Sequence, residues 1–169
     1  MTPEDHQEFD YLPKASADSP TTVQELNLLL QQKFRNGAIE EMFDLWASVE
    51  QLGITPNLHT YNWLLCAYDA ARLPSRCIRC LAEMEQYGIV PSPVSFSIAI
   101  KSLTWTGDVE KAFYIYQLLI EKRHTPTIPV FNNLLLVCSA ARDGSALLKV
   151  RLPFSFPTHI AGGARNETK

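Results

Sequence analysis

The stretch Gly53-Ile54-Thr55-Pro56-Asn57 decides the fold, because it returns as Gly88-Ile89-Val90-Pro91-Ser92, a period of 35 residues from position 53 to position 88. A third, eroded copy reads Arg123-His124-Thr125-Pro126-Thr127. Each copy is followed by an aromatic and a small polar residue, at Tyr61-Asn62, Phe96-Ser97 and Phe131-Asn132. A fixed period of this size indicates one supersecondary unit copied in tandem, each copy burying its apolar face against its neighbours. Stacked units of this kind offer an extended binding surface rather than a catalytic pocket.

The apolar spacing inside each copy predicts two α-helices per unit. In the second copy Tyr61, Leu64 and Leu65 recur at helical spacing, and Pro74 stands where proline is tolerated at the start of the next helix. In the first copy the second helix is predicted from about residue 38 to residue 52, where Gly53 ends it. We therefore predict an all-α fold, a right-handed α-solenoid of antiparallel helix pairs with 35-residue repeats, with the first helices on the concave face.

The chain divides at the boundaries of this period. Thr22 and Glu25 have the spacing of a capping box at the start of the first helix, whereas Pro153 and Pro157 interrupt the last copy. We predict an acidic extended arm over 1–20, repeats over 21–57, 58–92 and 93–127, a partial repeat over 128–150 and an irregular tail over 151–169.

Charge is unevenly placed along the chain. The formal net charge is −3. Residues 1–22 carry five acids against one base, whereas residues 23–150 carry 12 acids and 11 bases. A nucleic-acid binder usually has a basic excess, because phosphate contacts dominate its affinity. The near-neutral repeats therefore argue against strong RNA binding by this chain alone. No run of 18 apolar residues predicts a membrane span.

The sequence carries no motif for catalysis or for metal binding. The four histidines are scattered, and no HExxH, GxSxG or P-loop is present. A single CxxC, Cys77 to Cys80, has no second pair to complete a zinc site. We predict that these cysteines, with Cys66 and Cys138, pack inside helices, and we expect neither a cofactor nor an enzyme.

The repeat unit resembles the pentatricopeptide repeat. The resemblance is carried by the period, by Thr60-Tyr61-Asn62-Trp63-Leu64-Leu65 at the start of a first helix, and by the Gly-Ile-x-Pro-polar end of the second helix. It extends over residues 23–150. The tetratricopeptide repeat differs, since its usual period is 34 and its Leu-Gly pair is missing here. The family binds single-stranded organellar RNA, with one nucleotide read per repeat by a few side chains.

The resemblance implies which side chains would read bases. Two positions decide the base in this family: a selector residue just after the Tyr or Phe of the first helix, and the last residue of the repeat, here called the repeat-end residue. The pairs implied are Asn27 with Asn57, Asn62 with Ser92, and Ser97 with Thr127, while the selector Asn132 has no recognisable partner. By the same resemblance the first two pairs would prefer pyrimidines, whereas the third has no defined preference.

Two supporting columns depart from the family pattern. An aliphatic residue three positions before the selector helps to sandwich the base, and only Val94 fits among Gln24, His59, Val94 and Pro129. A basic residue eight positions after the selector commonly contacts phosphate, and only Arg35 fits among Arg35, Ala70, Trp105 and Ala140. Losing most phosphate contacts would remove most of the salt-dependent affinity.

Several of these residues also have plain structural interpretations. Asn62 fits a solvated position near a helix start, and the arginines at 72, 76 and 79 fit either a solvated helix face or contacts with RNA or an acidic partner. Aromatic residues are predicted to pack: Tyr61, Phe96 and Phe131 in the core, Trp46 and Tyr116 between repeats. Trp63 and Trp105 fall outside the usual aromatic columns. A packing role is favoured for both, and an anchor at an interface is the alternative.

The resemblance favours a short repeat protein that binds single-stranded RNA weakly by itself, as a subunit of a larger ribonucleoprotein assembly. An organellar ribosome or an RNA-processing complex would be the host, in a mitochondrion or alternatively a plastid. The acidic start of the chain shows no targeting presequence. A protein–protein scaffold without RNA contact is the alternative. A fragment or truncated product of a longer array is a third interpretation, because the fourth repeat is interrupted.

Overall fold

The computed structural model describes residues 20–142. Within this range the chain forms seven α-helices and a short 3-10 turn at Leu103–Trp105. The helices are α1 (Val23–Arg35), α2 (Ile39–Ser48), α3 (Leu58–Ala70), α4 (Pro74–Gln86), α5 (Pro93–Ser102), α6 (Val109–Glu121) and α7 (Ile128–Ala140). Nearly all of the predicted arm 1–20, residues 143–150 of the partial repeat and the predicted tail 151–169 lie outside the described residues.

The helices stack as antiparallel pairs in an all-α, right-handed solenoid, which confirms the fold class predicted from the period. The first helices α1, α3, α5 and α7 contact one another in series, and α1, α3 and α5 each pack on the second helix of their own pair. The second helices α2, α4 and α6 are held mainly by the first helices on either side. Since the first helices approach one another more closely, they form the inner row of the stack.

Buried side chains between the helices form two connected clusters. One is centred on Leu26, Leu30 and Met42 in the first pair, and the larger extends from Tyr61 to Cys138 through the later pairs. Aromatic contacts join successive pairs, as the sequence predicts for Trp46 and Tyr116. The ring centroids of Trp46 and Tyr61 lie 5.2 Å apart, and those of Tyr116 and Phe131 lie 5.9 Å apart.

Helix ends repeat as regularly as helix cores. Seven described residues adopt a left-handed backbone with positive φ, and all of them fall in two columns of the period: Gly37, Arg72, Gly107 and Arg142 after first helices, and Gly53, Gly88 and Arg123 after second helices. This conformation ends a helix at little cost for glycine, but an L-residue with a side chain pays about 1–2 kcal/mol. The three arginines therefore hold a strained turn that the fold imposes.

Two local predictions need correction. Helix α2 ends at Ser48 rather than near residue 52. The Ser48 hydroxyl donates a hydrogen bond to the Leu45 carbonyl at 2.7 Å. From Val49 the chain continues as turns, because a serine hydroxyl competes with the helical backbone bonds. The predicted capping box at Thr22 is only half made. The Thr22 hydroxyl accepts a hydrogen bond from the Glu25 backbone N–H. The Glu25 carboxylate accepts from the backbone N–H of Thr21 at 2.8 Å, whereas a full capping box would use that of Thr22.

Candidate nucleic-acid interface

The first selector pair is in direct contact. Asn27 lies on α1, and its Nδ2 donates to Oδ1 of the repeat-end residue Asn57 at 3.3 Å. Asn57 is also the N-cap of α3, where Oδ1 accepts from the Thr60 backbone N–H at 3.0 Å and from its hydroxyl at 3.1 Å. The capping box thus fixes Asn57, and Asn57 orients Asn27. The structure brings these two predicted residues together.

The second pair is linked through one intermediate side chain. Ser92 caps α5 and forms a capping box with Ser95, their two hydroxyl oxygens lying 3.1 Å apart. The Ser95 hydroxyl donates to Oδ1 of Asn62 at 2.7 Å. This bond uses the amide oxygen of Asn62 and leaves its Nδ2 as the group with donors to spare. Asn62 is half-buried on α3, and the bond from Ser95 fixes the orientation of its amide.

The third pair differs from the first two. Ser97 is buried, with 7% of its surface exposed. Asn133 on α7 donates from Nδ2 to the Ser97 hydroxyl at 3.0 Å and to the Ser97 carbonyl at 2.9 Å. Thr127 is exposed at the N-cap of α7, where its side chain makes no capping bond. The structure therefore ties Ser97 to Asn133 rather than to Thr127. The remaining selector, Asn132, is exposed on α7.

The supporting columns lie on the accessible surface. Val94, the one aliphatic member, is 57% exposed at the start of α5. Arg35, the one basic member, is exposed at the end of α1. The other members of both columns are also exposed: Gln24, His59, Pro129, Ala70, Trp105 and Ala140.

Three side chains that hold the selectors or the repeat-end residues were not predicted from the sequence. Thr60 and Ser95 stand three residues after Asn57 and Ser92, which is the capping-box spacing, so a search for caps would have found them. Asn133 follows the last selector directly and reaches back one repeat to Ser97. Only the alignment of columns across neighbouring repeats could indicate that contact.

An unsatisfied polar pair marks the junction between the first two repeats. Asn27 Oδ1 and Trp63 Nε1 are buried, and neither has a hydrogen-bond partner within residues 20–142. Trp63 occupies the same repeat position as Asn133, the position from which α7 reaches the selector of the preceding repeat. Its ring lies 5.6 Å from Phe34 and 5.8 Å from His59. Trp63 therefore packs in the core of this junction, at the cost of an unpaired indole N–H.

A different polar cluster occupies the next junction. Asp69 at the end of α3 is buried and receives an ion pair from Lys101 at 2.8 Å. The Trp105 indole N–H donates to the Asp69 carbonyl at 3.1 Å, with Asp69 Oδ1 at 3.3 Å. The Arg72 guanidinium lies 4.2 Å from the centre of the Trp105 ring. Trp105 is thus anchored at one edge but remains 48% exposed.

The core interpretations of the sequence are confirmed for Tyr61 and Phe96, which are 3% and 2% exposed. Cys77, Cys80 and Cys138 are also buried, whereas Cys66 is half-buried. Burial raises the pKa of the Cys77 thiol to about 12 and that of Cys66 to about 11. These thiols therefore stay protonated and weakly nucleophilic at neutral pH. Within residues 20–142, no group of three His, Cys, Asp or Glu side chains is placed to hold a metal ion.

A groove on the described surface lies away from the predicted selectors. A groove of about 830 Å³ runs along α6 and α7, lined by Tyr116, Ile120 and Phe131 among others, and contains none of the predicted selectors. In the part of the chain that the structure describes, no helix is long and apolar enough to cross a membrane.

The antiparallel pairs, their constant period and the polar row on the first helices define a helical-repeat protein with an extended binding face. A family model described as "pentatricopeptide repeat domain" matches residues 22–70, 44–104 and 79–140. The chain belongs to the pentatricopeptide repeat family.

Similar proteins come from plant organelles. A chloroplastic pentatricopeptide repeat-containing protein of Arabidopsis thaliana is 28% identical over 90 residues, covering 53% of this chain and 10% of that protein. A mitochondrial one from the same organism is 28% identical over 96 residues, covering 57% of this chain and 8% of that protein. The chain thus spans about a tenth of the length of these relatives.

Two solved structures are similar over 76% of the chain. The pentatricopeptide repeat protein PPR10 in complex with an 18-nt psaJ RNA element has a TM-score of 0.70 at 28% identity, over 19% of its own chain. The pentatricopeptide repeat domain of Arabidopsis thaliana protein-only RNase P 1, in complex with tRNA, has a TM-score of 0.59 at 20% identity, over 78% of its chain. The second likeness shows the fold alone.

Proposed function

We propose that this protein binds single-stranded RNA along its first helices, with repeats one and two each reading one nucleotide. The observation that carries the proposal is the hydrogen-bonded frame of the two selector pairs, Asn27–Asn57 and Asn62–Ser95–Ser92. Both selectors are held one repeat apart on neighbouring helices of the inner row. The likeness to the PPR10–RNA complex supports this use of the face.

The chemistry of the selectors suits a base edge. With its oxygen occupied by Ser95, Asn62 presents amide N–H donors, which match the carbonyl oxygens of a pyrimidine. The preference for pyrimidines at these two repeats comes from the family resemblance. In repeat three the capture of Ser97 by Asn133 removes that selector, so we propose no base reading there.

Affinity is expected to be modest without partners. Arg35 alone occupies the phosphate-contacting column, and Lys101 on the same row is paired with Asp69. Few phosphates would then be neutralised, and each contributes strongly at low salt. We propose that the chain works inside a larger ribonucleoprotein assembly whose other subunits supply the remaining contacts. A mitochondrion or a plastid is the proposed compartment, and no catalytic activity is proposed.

The test is binding of a labelled pyrimidine-rich single-stranded RNA, followed by anisotropy at about 50 and 150 mM salt. Asn62→Ala should weaken binding about tenfold, which corresponds to about 1.4 kcal/mol. Gln86→Ala is the matched control, because Gln86 is an exposed amide at the end of α4, away from the inner row. Absence of binding at the lower salt, or equal affinities for both variants, would refute autonomous RNA recognition.

A protein–protein scaffold is the second candidate. It is favoured by exposed apolar residues on the inner row, Leu28 at 64% and Leu136 at 53%, which suit a protein surface better than phosphate. A photo-crosslinking amino acid at position 62 separates the candidates inside the assembly. Crosslinks to RNA support base reading, whereas crosslinks confined to a protein subunit support the scaffold.

A further inference from the structure

Trp105 occupies a position where the family resemblance implies a basic, phosphate-contacting residue. It sits at the end of the 3-10 turn after α5, on the same row as the selectors. Its indole is not free to rotate, because Nε1 donates to the Asp69 carbonyl at 3.1 Å. Asp69 is in turn held by Lys101 at 2.8 Å. A large aromatic surface is thereby fixed in place while about half of the residue stays exposed (48%).

The neighbouring Arg72 adds positive charge to this surface. Its guanidinium lies 4.2 Å from the ring centre, and no acid within residues 20–142 pairs with it. Arg72 takes a left-handed backbone (φ 59°) in a column where Gly37 and Gly107 stand in the adjacent repeats. Arg142 has the same conformation in this column, so the turn and its cost belong to the repeat. A cation–π contact with Trp105 offsets part of that cost.

We propose that Trp105 and Arg72 form a stacking site for one unpaired RNA base, at the junction of repeats two and three. Bases stack on exposed aromatic rings with little dependence on sequence, because every base has a π-face. The uncompensated guanidinium of Arg72 would attract the adjoining phosphate. The site rests on the proposed RNA binding. It supplies, in repeat three, a contact that holds the strand where the selector Ser97 does not read it.

A stacking role and a purely structural role place different requirements on the Trp105 ring. A purely structural Trp105 needs bulk and the bond to Asp69, whereas a stacking site needs an aromatic face. Trp105→Phe keeps the face, and Trp105→Leu keeps apolar bulk without it. Both lose the bond to Asp69, so a difference between them reports the aromatic face alone. Thermal unfolding of both variants checks that each is folded.

The first measurement is RNA affinity of these two variants in the natural chain, with the labelled pyrimidine-rich RNA. Trp105→Leu should bind about tenfold more weakly, and Trp105→Phe should retain most of the affinity. Arg72→Gly, which restores the glycine of the neighbouring repeats, should weaken binding a few-fold without loss of stability. Equal affinity of Trp105→Leu and the natural chain would overturn the stacking site.

The second measurement is fluorescence of Trp105 alone. The chain has three tryptophans, so Trp46→Phe combined with Trp63→Phe leaves only this indole. Its emission should fall in step with RNA binding measured by anisotropy. RNA binding with unchanged emission would overturn the stacking site while leaving the proposed function intact. Absence of any RNA binding by the natural chain would overturn both.

Discussion

Repeats two and three share a framework but present different surfaces. Tyr61 and Phe96 stand in the same column and are both buried, so the helices meet in the same way. The selectors differ: Asn62 accepts one hydrogen bond and is half-buried, whereas Ser97 is buried and bonded to Asn133. Residues between helices keep the period, because every copy must bury the same face. The selector positions are free of that requirement and differ from repeat to repeat.

The framework itself is where the largest effects are expected. Tyr61→Ala and Phe96→Ala should each lower the free energy of unfolding by about 3–5 kcal/mol, because each leaves a cavity between helix pairs. Chemical denaturation followed by circular dichroism measures this. Tyr114→Ala is the control, since Tyr114 is 56% exposed on α6 and should change stability little. A well-tolerated change at only one of the two buried sites would show that the repeats are not equivalent in their cores.

The helix caps separate the two repeats at a smaller scale. Ser92→Ala should cost about 1 kcal/mol, because the capping box at α5 loses its acceptor for the Ser95 backbone N–H. Thr127→Ala should cost less than about 0.5 kcal/mol, because Thr127 makes no side-chain capping bond. Denaturant midpoints of the two variants provide the comparison. Equal losses would mean that Thr127 caps α7 in solution.

The smallest effect concerns the turn that closes each repeat. Arg123→Gly should raise the free energy of unfolding by about 0.5–1 kcal/mol, because glycine relieves the left-handed turn at φ 60°. Gly88→Ala, at φ 72° in the same column, should lower it by a similar amount. Thermal unfolding of both variants measures the shifts. A destabilised Arg123→Gly would indicate that the arginine side chain contributes more than its backbone costs.

The sequence predicted the framework well because the framework is periodic. The start of α4 at Pro74 and the buried columns of the first helices follow from one aligned pattern. The early end of α2 did not follow, because it depends on a single hydroxyl at Ser48. Nor did the left-handed Arg72 and Arg123, since arginine gives no local signal for positive φ.

The candidate site was only partly predictable. The selector columns could be placed from the family resemblance, and the structure places Asn27 and Asn57, two of these residues, in contact. The hydrogen bonds of the other selectors depend on side chains one repeat away. Asn133, for example, donates to Ser97. The anchoring of Trp105 on Asp69 also spans a repeat and involves residues that differ between copies. Contacts of this kind are set by the stacking of helices and not by local pattern.

Base reading by single repeats is measurable with a scan of single pyrimidine-to-purine changes along the bound RNA. The claim is that repeats one and two read bases and repeat three does not. Two adjacent nucleotides should each lose about tenfold in affinity when changed, and the nucleotide facing repeat three should tolerate the change. In Asn62→Ala the sensitivity should vanish at one of the two positions only. Three equally sensitive positions, or none, would contradict the account.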